Sequence, residues 1–166
     1  MRGWSLGVIG QAAEGIPLLL DGIGLTRAVG TNMLAPFILM TLADVHETTG
    51  QLNEAFDRLT EAARWVEITH ERWAEPEMYR MRGRLLLSMH EPTAAEESYH
   101  QALAVARLQS AKLFELRAST SLAGLWRDQG KRAEARDLLA PIYGWFTEGL
   151  DTPVLMEAKA LLDELA

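Results

Sequence analysis

Apolar residues recur at intervals of three and four along almost the whole chain, and nowhere does the strict alternation of a half-buried strand appear. The pattern predicts nine helices, and one spacing ties them together. Stepping back 40 residues at a time from Ala135 gives Ala95, Ala55 and Gly15, and from Ala123 gives Gly83, Ala43 and Gly3. Leu139 leads to Tyr99, Leu59 and Leu19; Trp126 leads to Leu86, His46 and Leu6; Gly130 leads to His90, Gly50 and Gly10. Small positions stay small and large ones mostly stay large through four copies. A period in the range of roughly 20–50 residues marks a stacked repeat, in which each unit is one supersecondary element that buries its apolar face against its neighbours.

The expected units cover residues 1–30, 31–70, 71–110 and 111–150, with a closing helix in 153–166, all stacked as a single domain. The first unit has a short helix, Met1–Ile9, and a second from about Ala12 to Val29 that buries Ile16, Leu19, Leu20 and Ile23. Seven of the 13 glycines lie in these 30 residues. Each interior glycine costs a helix about 1 kcal/mol relative to alanine, so this unit is expected to be the least stable. In the second unit Thr31 and Asn32 are cap candidates, and Pro36 stands in the first turn, where a missing amide proton does no harm. Its helices run from about Ala35 to Thr49, stopping at Gly50, and from Gln51 to Thr69. The third unit repeats the device with Pro76, in a pair of about Glu75–Met89 and Pro92–Gln109 that has His90-Glu91 in place of the glycine turn. The fourth pair is about Ala111–Gln129 and Lys131–Phe146. Gly149 then offers a left-handed stop, Asp151 or Thr152 a cap, and Pro153 a helix start. The last helix, Val154–Leu165, carries Leu155, Ala158, Leu161, Leu162 and Leu165 on one stripe and charges on the other, as a capping helix should.

Within the fourth unit the spacing is Leu122-Ala123-x-x-Trp126, then Ala135-x-x-x-Leu139. This resembles the tetratricopeptide repeat, W-x-x-L-G-x-x-Y followed by A-x-x-x-F, in which small side chains let the helices approach and large ones fill the gaps. The period is 40 residues rather than about 34, and the family's closing proline is replaced by Glu67, Arg107 and Thr147; longer helices account for both. HEAT and armadillo repeats share the longer period but not the small-residue spacing. The resemblance implies an all-α right-handed superhelix of four antiparallel helix hairpins with a C-terminal capping helix. Residues Ser121–Ala166 also resemble the closing segment of large bacterial signalling proteins, in which a nucleotide-cyclase or AAA-type ATPase module precedes a tetratricopeptide array. That similarity reaches over most of residues 31–166. It implies a C-terminal piece of such a protein, or a separate relative of it, acting as a cytoplasmic interaction scaffold. The catalytic modules are not in these residues, so no catalytic residue carries over.

Bulk chemistry narrows the field. A formal net charge of −7 argues against nucleic acid as partner, because such binding rests on neutralised phosphates. The absence of cysteine excludes disulfides, thiol nucleophiles and thiolate zinc sites. No apolar run reaches the length of a membrane span, and the apolar start is broken by Gly10, Gln11 and Glu14, unlike a secretory signal.

Isolated motifs carry little. Gly3-Trp4-Ser5-Leu6-Gly7 fits the nucleophile-elbow pattern but lacks the strand that must precede it, and Gly130-Lys131 lacks the first glycine and the Ser or Thr of a phosphate loop. His46-Glu47, His70-Glu71 and His90-Glu91 lack the second histidine of a helical zinc site. The five tryptophans are spread over several units and read mainly as packing residues. No catalytic, cofactor or metal constellation emerges.

One constellation remains. The resemblance implies that the first helix of each pair lines a concave groove. Its candidates are Phe37, Met40, Asp44 and Glu47, then Glu77, Arg80, Arg84 and Leu87, then Arg117, Thr120, Gly124 and Arg127. Four arginines thus fall on one surface of an acidic chain, and arginine grips carboxylates bidentately. This resembles the carboxylate clamps that hold acidic peptide tails, with Ser121 where a clamp asparagine is expected. An ordinary solvated charged face is the plainer reading of the same residues. The expected partner is a protein or peptide carrying acidic groups; the alternative is a small-ligand or signal-peptide sensor using the same groove. At the other end, Ile16, Leu18, Leu19, Leu20, Ile23 and Leu25 have no preceding unit to cover them, which points to a homodimer through residues 1–30.

The register makes a prediction. Ala55→Leu, Ala95→Leu and Ala135→Leu should each destabilise the chain by about 1–3 kcal/mol through overpacking. Chemical denaturation curves unchanged in all three would show that the small positions have been placed in the wrong register.

Overall fold

The computed structural model describes residues 12–28 and 34–166. They form eight helices and no strand: α1 Ala12–Ala28, α2 Ala35–Thr48, α3 Leu52–Thr69, α4 Glu75–Ser88, α5 Pro92–Leu108, α6 Lys112–Asp128, α7 Arg132–Tyr143 and α8 Pro153–Glu164. The expected helix Met1–Ile9, the cap candidates Thr31 and Asn32, and the serine motif at residues 3–7 lie outside the described residues. No helix among them is long and apolar enough to cross a membrane.

Each hairpin closes by the same backbone device. Gly50, His90 and Gly130 all take the left-handed conformation, with φ of 76°, 65° and 81°. The amides on and after each reach back into the helix. Gly50 donates to the Glu47 carbonyl and Gln51 to that of His46, both at 2.9 Å; His90 and Glu91 bond Leu87 and Leu86 likewise, and Gly130 and Lys131 bond Arg127 and Trp126. This is the paired closure that satisfies the last carbonyls of a helix. Ser110, at φ 55°, closes α5 in the same way, and His70, at φ 58°, ends α3 with a single bond to Val66. A left-handed residue therefore recurs every 20 residues from 50 to 130.

The small positions sit in the core as the period requires. Ala43, Ala123, Ala55, Ala95 and Ala135 are fully buried, opposite buried Leu59, Tyr99 and Leu139. Unit three makes a compensated exchange. It has Gly83 where its neighbours have alanine, and Tyr99 where they have leucine. A Cβ on Gly83 would lie 2.5 Å from the Tyr99 ring, so the missing methyl is the room the ring occupies. Burial pushes the Tyr99 phenol up to about 12.

Helices α2/α3, α4/α5 and α6/α7 pair as hairpins. In addition α4 packs on α6 and α6 on α8, while α2 touches α4; α3, α5 and α7 make no contact with one another. The first helices thus form a closed inner layer and the second helices a splayed outer one, which is the curvature of a tetratricopeptide-like superhelix. The junctions between hairpins carry ion pairs where the family has its proline. Arg72 bridges Glu67, at the end of α3, to buried Glu75 of α4. One period later the signs are exchanged: buried Glu115 bonds Arg107 at 2.9 Å and Lys112 at 2.8 Å. Burial alone would push the Glu115 carboxyl up, but those two cations outweigh it and hold it below the usual carboxylate range. The Gln109 amide also donates to the Arg72 carbonyl at 2.7 Å, tying the two junctions together.

Several expectations need correction. Leu20 is exposed, not buried, because the inward stripe of α1 runs through Gly15, Leu19 and Ile23 and the next residue turns about 100° away. Pro17 stands inside α1 and adds a missing amide to its glycines. Of the surface expected to join a second copy, the described part presents Leu18, Leu20 and Leu25 to solvent. Leu34 takes the cap position of α2, with no side-chain bond to the helix. Helix α7 stops at Tyr143 rather than Phe146, where Gly144 weakens the helix and Trp145 and Phe146 meet edge to face at 5.1 Å. Thr152 precedes α8, yet its hydroxyl donates to the Gly149 carbonyl and not to the helix amides.

The exchange at Gly83 and Tyr99 is testable as a cycle. Gly83→Ala and Tyr99→Leu should each destabilise by about 1–3 kcal/mol, whereas the double substitution, which recreates the alanine–leucine pair of the other units, should cost at least about 1 kcal/mol less than their sum. Additive costs in urea denaturation would show that the two positions are not one packing unit.

Candidate functional site

The inner layer presents one face of α2, α4, α6 and α8. On α4 the periodicity brings Glu77, Arg80, Met81 and Arg84 to the same side, one and two turns apart. These join Phe37, Ile38, Met40, Thr41 and Asp44 of α2, Leu19 of α1 and Arg117 of α6 around a cavity of about 440 Å³. A second cavity of about 370 Å³ lies between α6 and α8 and takes in Leu87, Thr120, Gly124 and Arg127. Between the two sits a small recess of about 60 Å³, shared by Arg80, Arg117, Thr120, Ser121, Val154 and Glu157. The structure therefore brings the candidates together in two groups, one around each of the larger cavities, while Glu47 enters through its bond to Arg84.

Their electrostatics differ from an open clamp, because every one of the four arginines already holds a carboxylate. Arg84 of α4 reaches across to α2, with 2.7 Å to Asp44 and 2.6 Å to Glu47. Burial works against its charge, but Glu47 and Asp44 together hold its pKa above the ordinary value. Arg80 is buried and makes a two-pronged bond to Glu77 at 2.7 and 3.0 Å, with its remaining nitrogen 3.4 Å from the Ser121 hydroxyl. Arg127 joins Glu164 of α8 at 2.7 Å and Asp128 at 2.9 Å. Arg117 is the least compensated. Its one ion pair, 2.8 Å to Glu77, goes to a carboxylate that Arg80 already engages. Burial pulls its guanidinium down, Glu77 opposes that, and the positive charge of Arg80 adds to it.

The floor is apolar. Met40 is buried, Met81 is buried, and Phe37 at the rim lies 5.9 Å from the exposed Trp73 ring. Three groups of the site were not legible as such. Leu19 reads as core only, and it is both buried and part of the cavity lining. Met81 lies one turn after Glu77, a spacing that could have found it. Glu157, Ala160 and Glu164 of α8 lie 40 residues after Arg117, Thr120 and Gly124, so the capping helix stands in the place of a fifth inner helix. The period, extended one more step, carried that signal.

Elsewhere, His46 shares a hydrogen bond of 2.6 Å with the Gln51 side chain, and the Trp126 indole donates to Glu96 at 2.7 Å, so both serve packing between helices. Among the described residues no group of acidic and histidine side chains could hold a metal ion.

No family model matches the sequence, and no curated protein is similar to it. The fold has solved relatives. A Podospora anserina protein described as a putative kinesin light chain with nearly identical TPR-like repeats is similar over 99% of this chain and 82% of its own, at 17% identity and a TM-score of 0.70. A single-substitution variant of that protein gives 18% identity, 99% and 81% coverage and a TM-score of 0.72. At such low identity these likenesses speak for the fold, and the fold is that of a tetratricopeptide-like helical repeat.

Proposed function

We propose that this chain is an interaction scaffold whose concave face holds a peptide or helix from a partner protein. The observation that carries the reading is the row of recesses across all four inner helices, which suits an elongated ligand better than a compact one. An apolar anchor would enter the cavity floored by Met40 and Met81, and an acidic group beside it would complete the coordination of Arg117. The rest of the groove is charge-balanced, so the partner needs one well-placed carboxylate rather than an acidic run. The resemblance of residues 31–166 to arrays of bacterial signalling proteins supports such a protein as the setting. A second reading, a small-ligand sensor, draws support from the volume of the first cavity, about 440 Å³, which lies among those of small-molecule sites.

Selection from a random-peptide phage library followed by calorimetry tests the proposal. Enriched peptides should pair an apolar residue with Asp or Glu, and Arg117→Ala or Met40→Ala should weaken them at least about tenfold, about 1.4 kcal/mol. Arg64→Ala, on the outer helix α3, should leave affinity unchanged. Arg117 is preferred to Arg80 or Arg84 because removing either of those would strand buried or half-buried carboxylates. Peptides insensitive to both groove substitutions, or no enrichment, would overturn the scaffold reading; thermal stabilisation by small carboxylates alone would favour the sensor.

A further inference from the structure

A second candidate site lies on the opposite side of the inner layer, at the junction of α3 and α4. Successive hairpins are sealed by a pair of side chains one turn and a junction apart. The pair is Ile23 with Leu42 at the first junction and Leu103 with Leu122 at the third, and all four side chains are buried. At the last junction the same steps give Tyr143 and Leu162. The second junction differs: Ala63 and Arg82 occupy these positions. A methyl and an exposed guanidinium replace two large apolar groups, and a cavity of about 320 Å³ remains, lined by Phe56, Leu59, Thr60, Ala63, Met78, Tyr79 and Arg82. The connection over this junction is also longer, residues 70–74 against 109–111 at the next.

The polar groups of this cavity are open to a ligand. Arg82 lies over the Phe56 ring, 5.3 Å from its centroid, and among the described residues it has no carboxylate within ion-pair distance. The nearby acids Glu67 and Glu75 are both engaged by Arg72. The Tyr79 hydroxyl has no hydrogen-bond partner among the described residues, and burial keeps it protonated beyond the usual range, so it is a donor at neutral pH. Thr60 donates its proton to the Phe56 carbonyl at 3.0 Å, which leaves its oxygen as an acceptor. An apolar chamber with a guanidinium and a phenol at its rim matches one kind of ligand: an apolar group, flat enough to lie on Phe56, that carries a carboxylate.

We infer that the α3–α4 junction is a binding site, separate from the concave groove, for an apolar or aromatic carboxylate held by Arg82 and Tyr79. Two sources supply this chemistry, a free aryl or alkyl acid and the C-terminal residue of a peptide ending in Phe or Leu.

Titration calorimetry and amide chemical-shift mapping of the full chain separate the outcomes. The probes are 4-phenylbutyrate, its primary amide, and the peptide acetyl-Gly-Gly-Phe with a free or an amidated C-terminus. The acid forms should bind at least about tenfold tighter than the amides, equivalent to about 1.4 kcal/mol, and shift the amides of Phe56, Ala63 and Tyr79. The tighter of the two acids identifies the source. Arg82→Gln keeps most of the stem and removes the charge, and should erase the preference for acids. Arg82→Leu restores the residue found at Leu42 and Leu122, and should abolish binding while raising Tm, which shows that the fold is intact. Equal binding of acid and amide, binding that survives in Arg82→Leu, or loss of binding in Arg117→Ala would overturn the assignment. So would the absence of saturable binding by every probe.

Discussion

The structure depends on where each helix stops. A helix that ran two residues further would carry its partner around the axis by about 200° and turn the small positions away from their leucines. The chain prevents this with a left-handed residue every 20 positions, at Gly50, His70, His90, Ser110 and Gly130. The carbonyls that accept the closing bonds after 50, 90 and 130 belong to His46, Leu86 and Trp126. These are the same repeat positions whose side chains pack between the helices. Backbone closure and side-chain packing are therefore fixed together, and a slip in one is a slip in the other.

Given that register, the charges follow. Inner-layer helices stand side by side, so a long side chain on one can reach the next, and the arginines of α4 and α6 meet carboxylates of α2, α4 and α8. These pairs are half-exposed or shared, and their role is less to add stability than to set which ligand charges are welcome. Only Arg117 is left with an incomplete shell. At the hairpin junctions ion pairs stand where the related repeats have proline, Glu67–Arg72–Glu75 in one and Arg107–Glu115–Lys112 in the next. The inverted order keeps a cation–anion contact at each junction without repeating the same residues.

Much of this was legible in the residues. The period placed seven of the eight described helices to within a few positions. It also placed the buried alanines and the groove face of α2, α4 and α6, because helical spacing determines which side chains share a side. What could not be read was how side chains choose among partners at similar distance. Nothing in the order of residues says that Arg84 turns to Asp44 and Glu47 rather than to solvent, so the arginines looked freer than they are. His90 and Ser110 hid the closures that glycine announces at 50 and 130. Arg82 passed as one more surface charge, since its meaning lies in the leucines that stand at Leu42 and Leu122. Leu20 failed for a simpler reason, namely that the glycine-rich α1 gives the apolar stripe few competing polar positions to define its edge.

The claim that left-handed closures set the register is tested most directly by exchanging glycine and non-glycine at these sites and measuring unfolding free energies. This conformation costs an L-residue about 1–2 kcal/mol, part of which is offset by glycine's greater freedom when unfolded. The account predicts that Gly50→Ala and Gly130→Ala each destabilise by about 1 kcal/mol, whereas His90→Gly and Ser110→Gly each stabilise by a few tenths to about 1 kcal/mol. If His90→Gly and Ser110→Gly instead lose about 1 kcal/mol, as glycine does inside a helix, the helices do not end where the register requires.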